Sequence, residues 1–164
     1  MNRRQSVAKG TAATAINTRY DDAPASPGFV LWQVASMWQR SLRSALEAAE
    51  LTHAQFVLLA SAGWLEEKSN GIAVTQSDIA SHAKTDAVMT SEVLRTLERK
   101  GLVKRLSHPS DARAKQIALT AAGRRVAQRA VALVEEADEA FFGERGPELE
   151  QLARLLCPMF PKAR

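Results

Sequence analysis

Residues Thr75–Thr120, TQSDIASHAKTDAVMTSEVLRTLERKGLVKRLSHPSDARAKQIALT, decide the fold. Thr75 followed three residues later by Asp78 fits a capping box, in which the first side chain accepts from a free backbone amide and the acid reaches back, so a helix starts there. Lys84, Thr85 and Asp86 break the pattern, and Thr85 or Asp86 can cap a second helix over about 86–100 that stops at Gly101. On its wheel Met89, Val93, Leu94 and Leu97 point one way, while Ser91, Arg95, Glu98 and Arg99 lie opposite with Val88. The segments 102–107 and 115–119 are strand-like, and the seven residues between them, with Pro109, Ser110 and Asp111, predict an extended hairpin tip over a wing of about 102–119. Two short helices followed by a basic hairpin form the layout of a winged helix that grips DNA.

Working outward, Thr52 caps a preceding helix that carries Phe56, Leu59, Ala60 and Gly63 and ends near Glu67, with a turn at Asn70 and Gly71. Before it, Leu31, Ala35, Trp38, Leu42, Ala45, Leu46 and Ala49 repeat at the three-and-four spacing of a long helix. Pro24, Ser26, Pro27 and Gly28 punctuate the chain ahead of that pattern, so order is expected from Phe29. Downstream, Thr120 opens a helix with Val126, Ala130, Leu133, Val134, Ala137 and Phe141 on one stripe, interrupted at Gly143–Pro147. A last helix carries Leu149, Leu152, Ala153 and Leu156. The reading is mainly α with a small β-hairpin: a winged helix–turn–helix over 51–120, a flexible basic arm over 1–28, and helices over 29–50 and 121–160. The apolar stripes of those outer helices lie beyond the compact winged helix and are expected to cover each other and a second copy of the chain.

Charge points the same way. The 164-residue chain has a formal net charge of +4, but residues 75–125 alone carry +5, ten cations against five acids. A localised basic stretch is the footprint of a surface that displaces counterions from phosphate. Apolar residues at 46% and charged residues at 24% are globular values. A single cysteine, Cys157, excludes an internal disulfide framework and fits a reducing cytoplasm. No apolar run approaches the roughly 20 residues of a membrane span. The first 20 residues lack the apolar core of a secretory signal; they read as an arm, the alternative being an organellar transit peptide.

Specific side chains follow from docking geometry. A helix entering a major groove reads base edges from its N-terminal half, which here offers Ser91 and Arg95, the latter suited to guanine O6 and N7. The alternative for Arg95 is pairing with Glu92 or Glu98 on a solvated helix. Thr85 and Thr90 stand at the helix start, where free amides favour anions, and Arg99 shares the outer side. Arg113 at the wing tip suits a narrow minor groove, with Asp111 orienting it, while Lys104, Arg105 and Lys115 meet phosphates on either side.

Enzyme chemistry finds no support. His53, His82 and His108 lie far apart with no His or Cys at metal-ligand spacing. No nucleophile–base motif or phosphate-binding glycine loop is present, and no cofactor is implied. A winged helix used as a protein-interaction module, with Arg95 and Arg113 binding acidic partners, is the alternative from another class.

The stretches LTHAQFVLLA (51–60) and LRTLERKGLVKRLSHPSDARAKQIALTAAG (94–123), with the long flanking helices, resemble the multiple antibiotic resistance regulator (MarR) family across roughly Phe29–Phe160. The resemblance implies a homodimer with intertwined terminal helices and two winged helices on a pseudo-palindromic operator, more often a repressor. It also implies release of DNA by a small aromatic or phenolic effector. Trp32, Trp38, Phe56 and Trp64 can line such a pocket with His53 as polar anchor, or they can be core and interface residues. Cys157 is expected to be packed and inert, since peroxide-sensing members carry their thiol near the start of the first long helix. Many members have Arg where this chain has Glu92 and an acid where it has Arg95; a carboxylate there can accept from cytosine N4 but repels phosphate.

Overall fold

The computed structural model of the protein describes residues 19–70, 72–107, 115–143 and 145–159. The elements run α1 (Pro27–Glu47), α2 (His53–Lys68), α3 (Gln76–Ala83), α4 (Ala87–Arg99), β1 (Val103–Ser107), β2 (Lys115–Leu119), α5 (Ala121–Phe142) and α6 (Gly146–Leu156), closed by a 3-10 turn at Cys157–Met159. Cys157, expected to be packed, is exposed there, because neither α6 nor this turn buries any residue. The chain divides into two compact units after Ala35, within α1.

In the first unit α1 begins at Pro27, two residues before the start expected at Phe29. Ser26 supplies the reason: its hydroxyl accepts from the Phe29 N–H at 3.4 Å, and Pro27 takes the first helical position, where a missing N–H costs nothing. Phe29 and Trp32 stack at 6.0 Å with 14° between their planes. Phe29, Leu31, Trp32 and Val34 are exposed. Of the expected arm, residues 1–18 lie outside the described residues.

The second unit is built around α2, which packs against α3, α4, α5 and β2. Consecutive positions Leu58 and Leu59, then Ser61 and Ala62, are buried, so α2 is enclosed on more than one side rather than along one stripe. Leu42 and Leu46 of α1, Ile79 of α3, Leu94 and Leu97 of α4, Val103, Ile117 and Leu119 of the hairpin, and Ala130 and Val134 of α5 complete the core.

Local caps set the element starts. Thr52 and Thr75 each form a full capping box, with Gln55 and Asp78 respectively. Asp86 is the cap of α4, its Oδ1 accepting from the Met89 N–H at 2.8 Å, and Thr120 caps α5 by accepting from the Gly123 N–H at 2.9 Å. The turn between α3 and α4 passes through Lys84 at φ 54°, a left-handed conformation in which the Lys84 and Thr85 N–H groups both bond to the Ala80 carbonyl.

β1 and β2 pair antiparallel from Val103↔Leu119 to Ser107↔Lys115. A bridge at Thr75↔Gln116, with the Ile117 N–H donating to the Val74 carbonyl at 2.8 Å, fastens the hairpin to the start of α3. The first strand starts at Val103 because Leu102 belongs to the turn after Gly101, whose φ of 70° ends α4. Leu102 is also the anvil for α5: a Cβ on Gly123 would lie 1.9 Å from the Leu102 carbonyl oxygen, so only glycine admits this approach. The expected wing tip, 108–114, lies outside the described residues, and with it His108, Asp111 and Arg113.

Candidate nucleic-acid interface and ligand cavity

α4 separates two environments. Of the four residues predicted to face inward, Leu94 and Leu97 are buried and Met89 and Val93 half-buried; Thr90 is buried with them, and Val88, Glu92, Arg95, Glu98 and Arg99 are exposed. Arg95 makes no ion pair within 4.0 Å with Glu92 or Glu98 among the described residues, although the spacing allows both. Its guanidinium is therefore available on the outer face. Arg99 donates to Thr96 Oγ1 at 2.9 Å, which holds it along its own helix. Ser91 is half-buried at the edge of that face.

Thr90 is corrected by the structure. It is fully buried, and its hydroxyl donates to the Asp86 carbonyl at 2.7 Å. With that proton committed, the 2.7 Å contact to Thr85 Oγ1 has Thr85 as donor. The two threonines thus tie the turn to the first turn of α4 rather than offering hydroxyls to phosphate. Burial of a β-branched side chain facing the core outweighs the polar role its position in the sequence suggested.

Around the hairpin, Lys104 and Lys115 are exposed on β1 and β2. Arg105 is half-buried and reaches Gln76 Oε1 at 3.4 Å, bracing the wing against α3.

The five aromatic and histidine positions expected at a ligand pocket fall in three places. Trp32 lies in the first unit, exposed. Trp38 and His53 pack edge to face at 5.4 Å, and the Trp38 indole N–H donates to Asp138 Oδ1 at 2.6 Å, joining α1, α2 and α5. Burial lowers the His53 pKa below its ordinary 6.5, while the Asp138 carboxylate acts in the opposite direction. Neither Trp38 nor His53 reaches the cavity. A half-buried indole N–H still favours an acceptor, and Asp138 has drawn this pair into a structural contact.

Phe56 and Trp64 do line a cavity of about 630 Å³ between α2 and α5, with Val57, Ala60, Ala127 and Val131 forming further apolar wall. Its polar groups are Ser61, Glu67, His82, Arg124 and Gln128. His82 Nδ1 lies 3.1 Å from Ser61 Oγ. Arg124 Nη2 sits 2.8 Å from Glu66 Oε2, close enough for an ion pair though not aligned as a hydrogen bond, and Glu66 Oε1 accepts from the Leu119 N–H at 2.8 Å. Sequence reading missed Ser61, Glu66, His82, Arg124 and Gln128. The one local signal was Arg124 in the first turn after the Thr120 cap; the others meet only because α2, α3 and α5 pack together.

A helix–turn–helix whose second helix has one free face, braced by a basic two-stranded hairpin, defines a winged helix–turn–helix protein. The model of the MarR family matches residues 51–115, from two residues before α2 to the first residue of β2. The uncharacterized HTH-type transcriptional regulator YdcH of Bacillus subtilis (strain 168) is 41% identical over 126 residues, covering 77% of this chain and 84% of its own. The HTH-type transcriptional repressor Rv2887 of Mycobacterium tuberculosis H37Rv is 32% identical over 137 residues, covering 83% and 93%. Among solved structures, CouR from Rhodococcus jostii RHA1 bound to p-coumaroyl-CoA matches with a TM-score of 0.74 and 27% identity, over 88% of this chain and 99% of that one. The chain belongs to the MarR family, and its relatives are transcriptional regulators rather than enzymes. No helix among the described residues is long and apolar enough to cross a membrane.

Proposed function

We propose that this chain is a cytoplasmic, homodimeric transcriptional repressor that binds a pseudo-palindromic operator through α4 and the wing. The observation that carries the reading is the unpaired, exposed Arg95 on a helix whose opposite face is locked into the core. Such a helix enters a major groove without rearrangement, and the guanidinium has no internal partner to give up. Ser91 and Arg99 flank it, Lys104 and Lys115 reach phosphate, and Arg113, oriented by Asp111, takes the minor groove. The exposed apolar residues of α1 and, separately, of α6 are surfaces that a second copy covers.

The cavity between α2 and α5 receives a small aromatic or phenolic effector that lowers operator affinity. Its apolar walls with a few convergent polar groups suit such a ligand, and the p-coumaroyl-CoA bound to CouR supports an aromatic one. The test is a mobility-shift titration on the DNA flanking the chain's own gene, across a salt series and with a panel of phenolic and aromatic acids. Affinity for duplex should fall steeply with salt and drop further with one of the acids. Binding that is absent, or indifferent to salt, would overturn the DNA-binding reading.

A further inference from the structure

The outer face of α4 carries three different base-edge chemistries in one row. Val88, Glu92 and Arg95 follow the i, i+4, i+7 rhythm, which at 3.6 residues per turn keeps them within about 60° of one another. All three are exposed, Val88 at 70%. The Glu92 carboxylate, like the Arg95 guanidinium, makes no ion pair among the described residues, although the two are one turn apart. Val88 is the second residue of α4, behind the Asp86 cap that fixes the first turn. An isopropyl group held out at the leading end of a polar helix face gains nothing from the core, and a free carboxylate inside a basic segment works against phosphate binding. Both features oppose a purely electrostatic grip on the backbone, and both match a base edge: apolar contact with the thymine methyl, and acceptance from the cytosine N4 amino group.

We propose that Val88 and Glu92 are specificity-determining residues that, with Arg95, read an ordered thymine, cytosine and guanine in each half-site. This rests on the proposed entry of α4 into the major groove. At a rise of 1.5 Å per residue Glu92 stands about 6 Å and Arg95 about 10.5 Å along the axis from Val88. At about 3.4 Å per base pair that is roughly two and three steps. The row therefore predicts a preferred thymine at the end read by the start of α4. A cytosine lies about two pairs on and a guanine about one pair further, the strand of each being left to the selection.

The experiment is selection of bound duplexes from a library with randomised half-sites, by the full chain and by Val88→Ala and Glu92→Ala. Both substitutions fall at exposed helical positions where alanine is the better helix former, so the variants fold. The wild type should select thymine and cytosine at that spacing. Replacing the selected thymine by deoxyuridine, which lacks only the methyl, should weaken wild-type binding about fourfold, the worth of one buried methyl group. Val88→Ala should be insensitive to the same replacement. Glu92→Ala should lose a cytosine preference on the order of fivefold or more while binding non-cognate duplex more tightly. Selected half-sites without these two bases, or equal sensitivity of wild type and Val88→Ala to deoxyuridine, would overturn the proposal while leaving DNA binding intact. Failure to select any duplex would remove the DNA-binding reading and this inference together.

Discussion

Gly123 shows how much one residue carries. It lies buried in the first turn of α5, and a methyl group there would collide with the backbone carbonyl of Leu102, which also accepts from the Thr120 N–H at 3.0 Å. Backbone cannot step aside as a flexible side chain can, so Gly123→Ala should cost about 3 kcal/mol or more. Urea unfolding of the two proteins measures it; a loss below about 1 kcal/mol would show that α5 shifts freely. His53 carries a pH dependence. Because burial lowers its pKa below 6.5 in the folded protein, the unfolded chain binds more protons in the window just beneath that value. The associated stability is present above 6.5 and is lost as pH falls through the lowered value. Thermal midpoints recorded between about pH 7.5 and about pH 5 should therefore fall less for His53→Gln than for the wild type. Identical pH profiles would remove His53 from the account.

At the scale of elements, the caps were legible because each is a hydrogen-bond loop closed within three residues, so Thr52, Thr75 and Thr120 are found where the sequence places them. The hairpin needs more than local pattern. Its second strand is held from outside by Glu66, whose Oε1 accepts from the Leu119 N–H. Glu66→Ala leaves that amide without its acceptor and Arg124 without its counter-ion, so unfolding free energy should drop by about 1 to 3 kcal/mol. An unchanged midpoint would mean that water replaces the carboxylate without loss. For the wing as a DNA contact, Arg113→Ala should weaken operator binding by about 1 to 3 kcal/mol. Equal affinity of both proteins for an operator with A·T-rich flanks would take the minor-groove role from Arg113.

At the scale of the whole molecule, α6 holds no buried residue, and Leu152, Leu155 and Met159 are exposed. A helix with that apolar side uncovered has too little of its own chain to pack on, and a second copy is the economical cover. A chain ending at residue 140, which loses α6 and the last two residues of α5, should run as a monomer or fail to stay in solution when examined by sedimentation. A stable, well-folded dimer of that chain would show that α6 is dispensable for association.

The sequence alone determined which segments are helices, the caps at Thr52, Thr75 and Thr120, the apolar stripe of α4 and where the hairpin lies. These depend on periodicity and on bonds between near neighbours. It also marked the basic segment and the family resemblance carried by 51–60 and 94–123. Only the tertiary structure decided that Thr90 is sealed inside, that Trp38 is bound to Asp138 a hundred residues away, and that Arg95 stands free of Glu92 and Glu98. It alone assembled Phe56, Trp64, His82 and Arg124 around one cavity while leaving Trp38 and His53 outside it. Residue types state what a side chain can do; which of those options is realised depends on the partners that packing brings within reach. Those partners come from elements far apart in the chain.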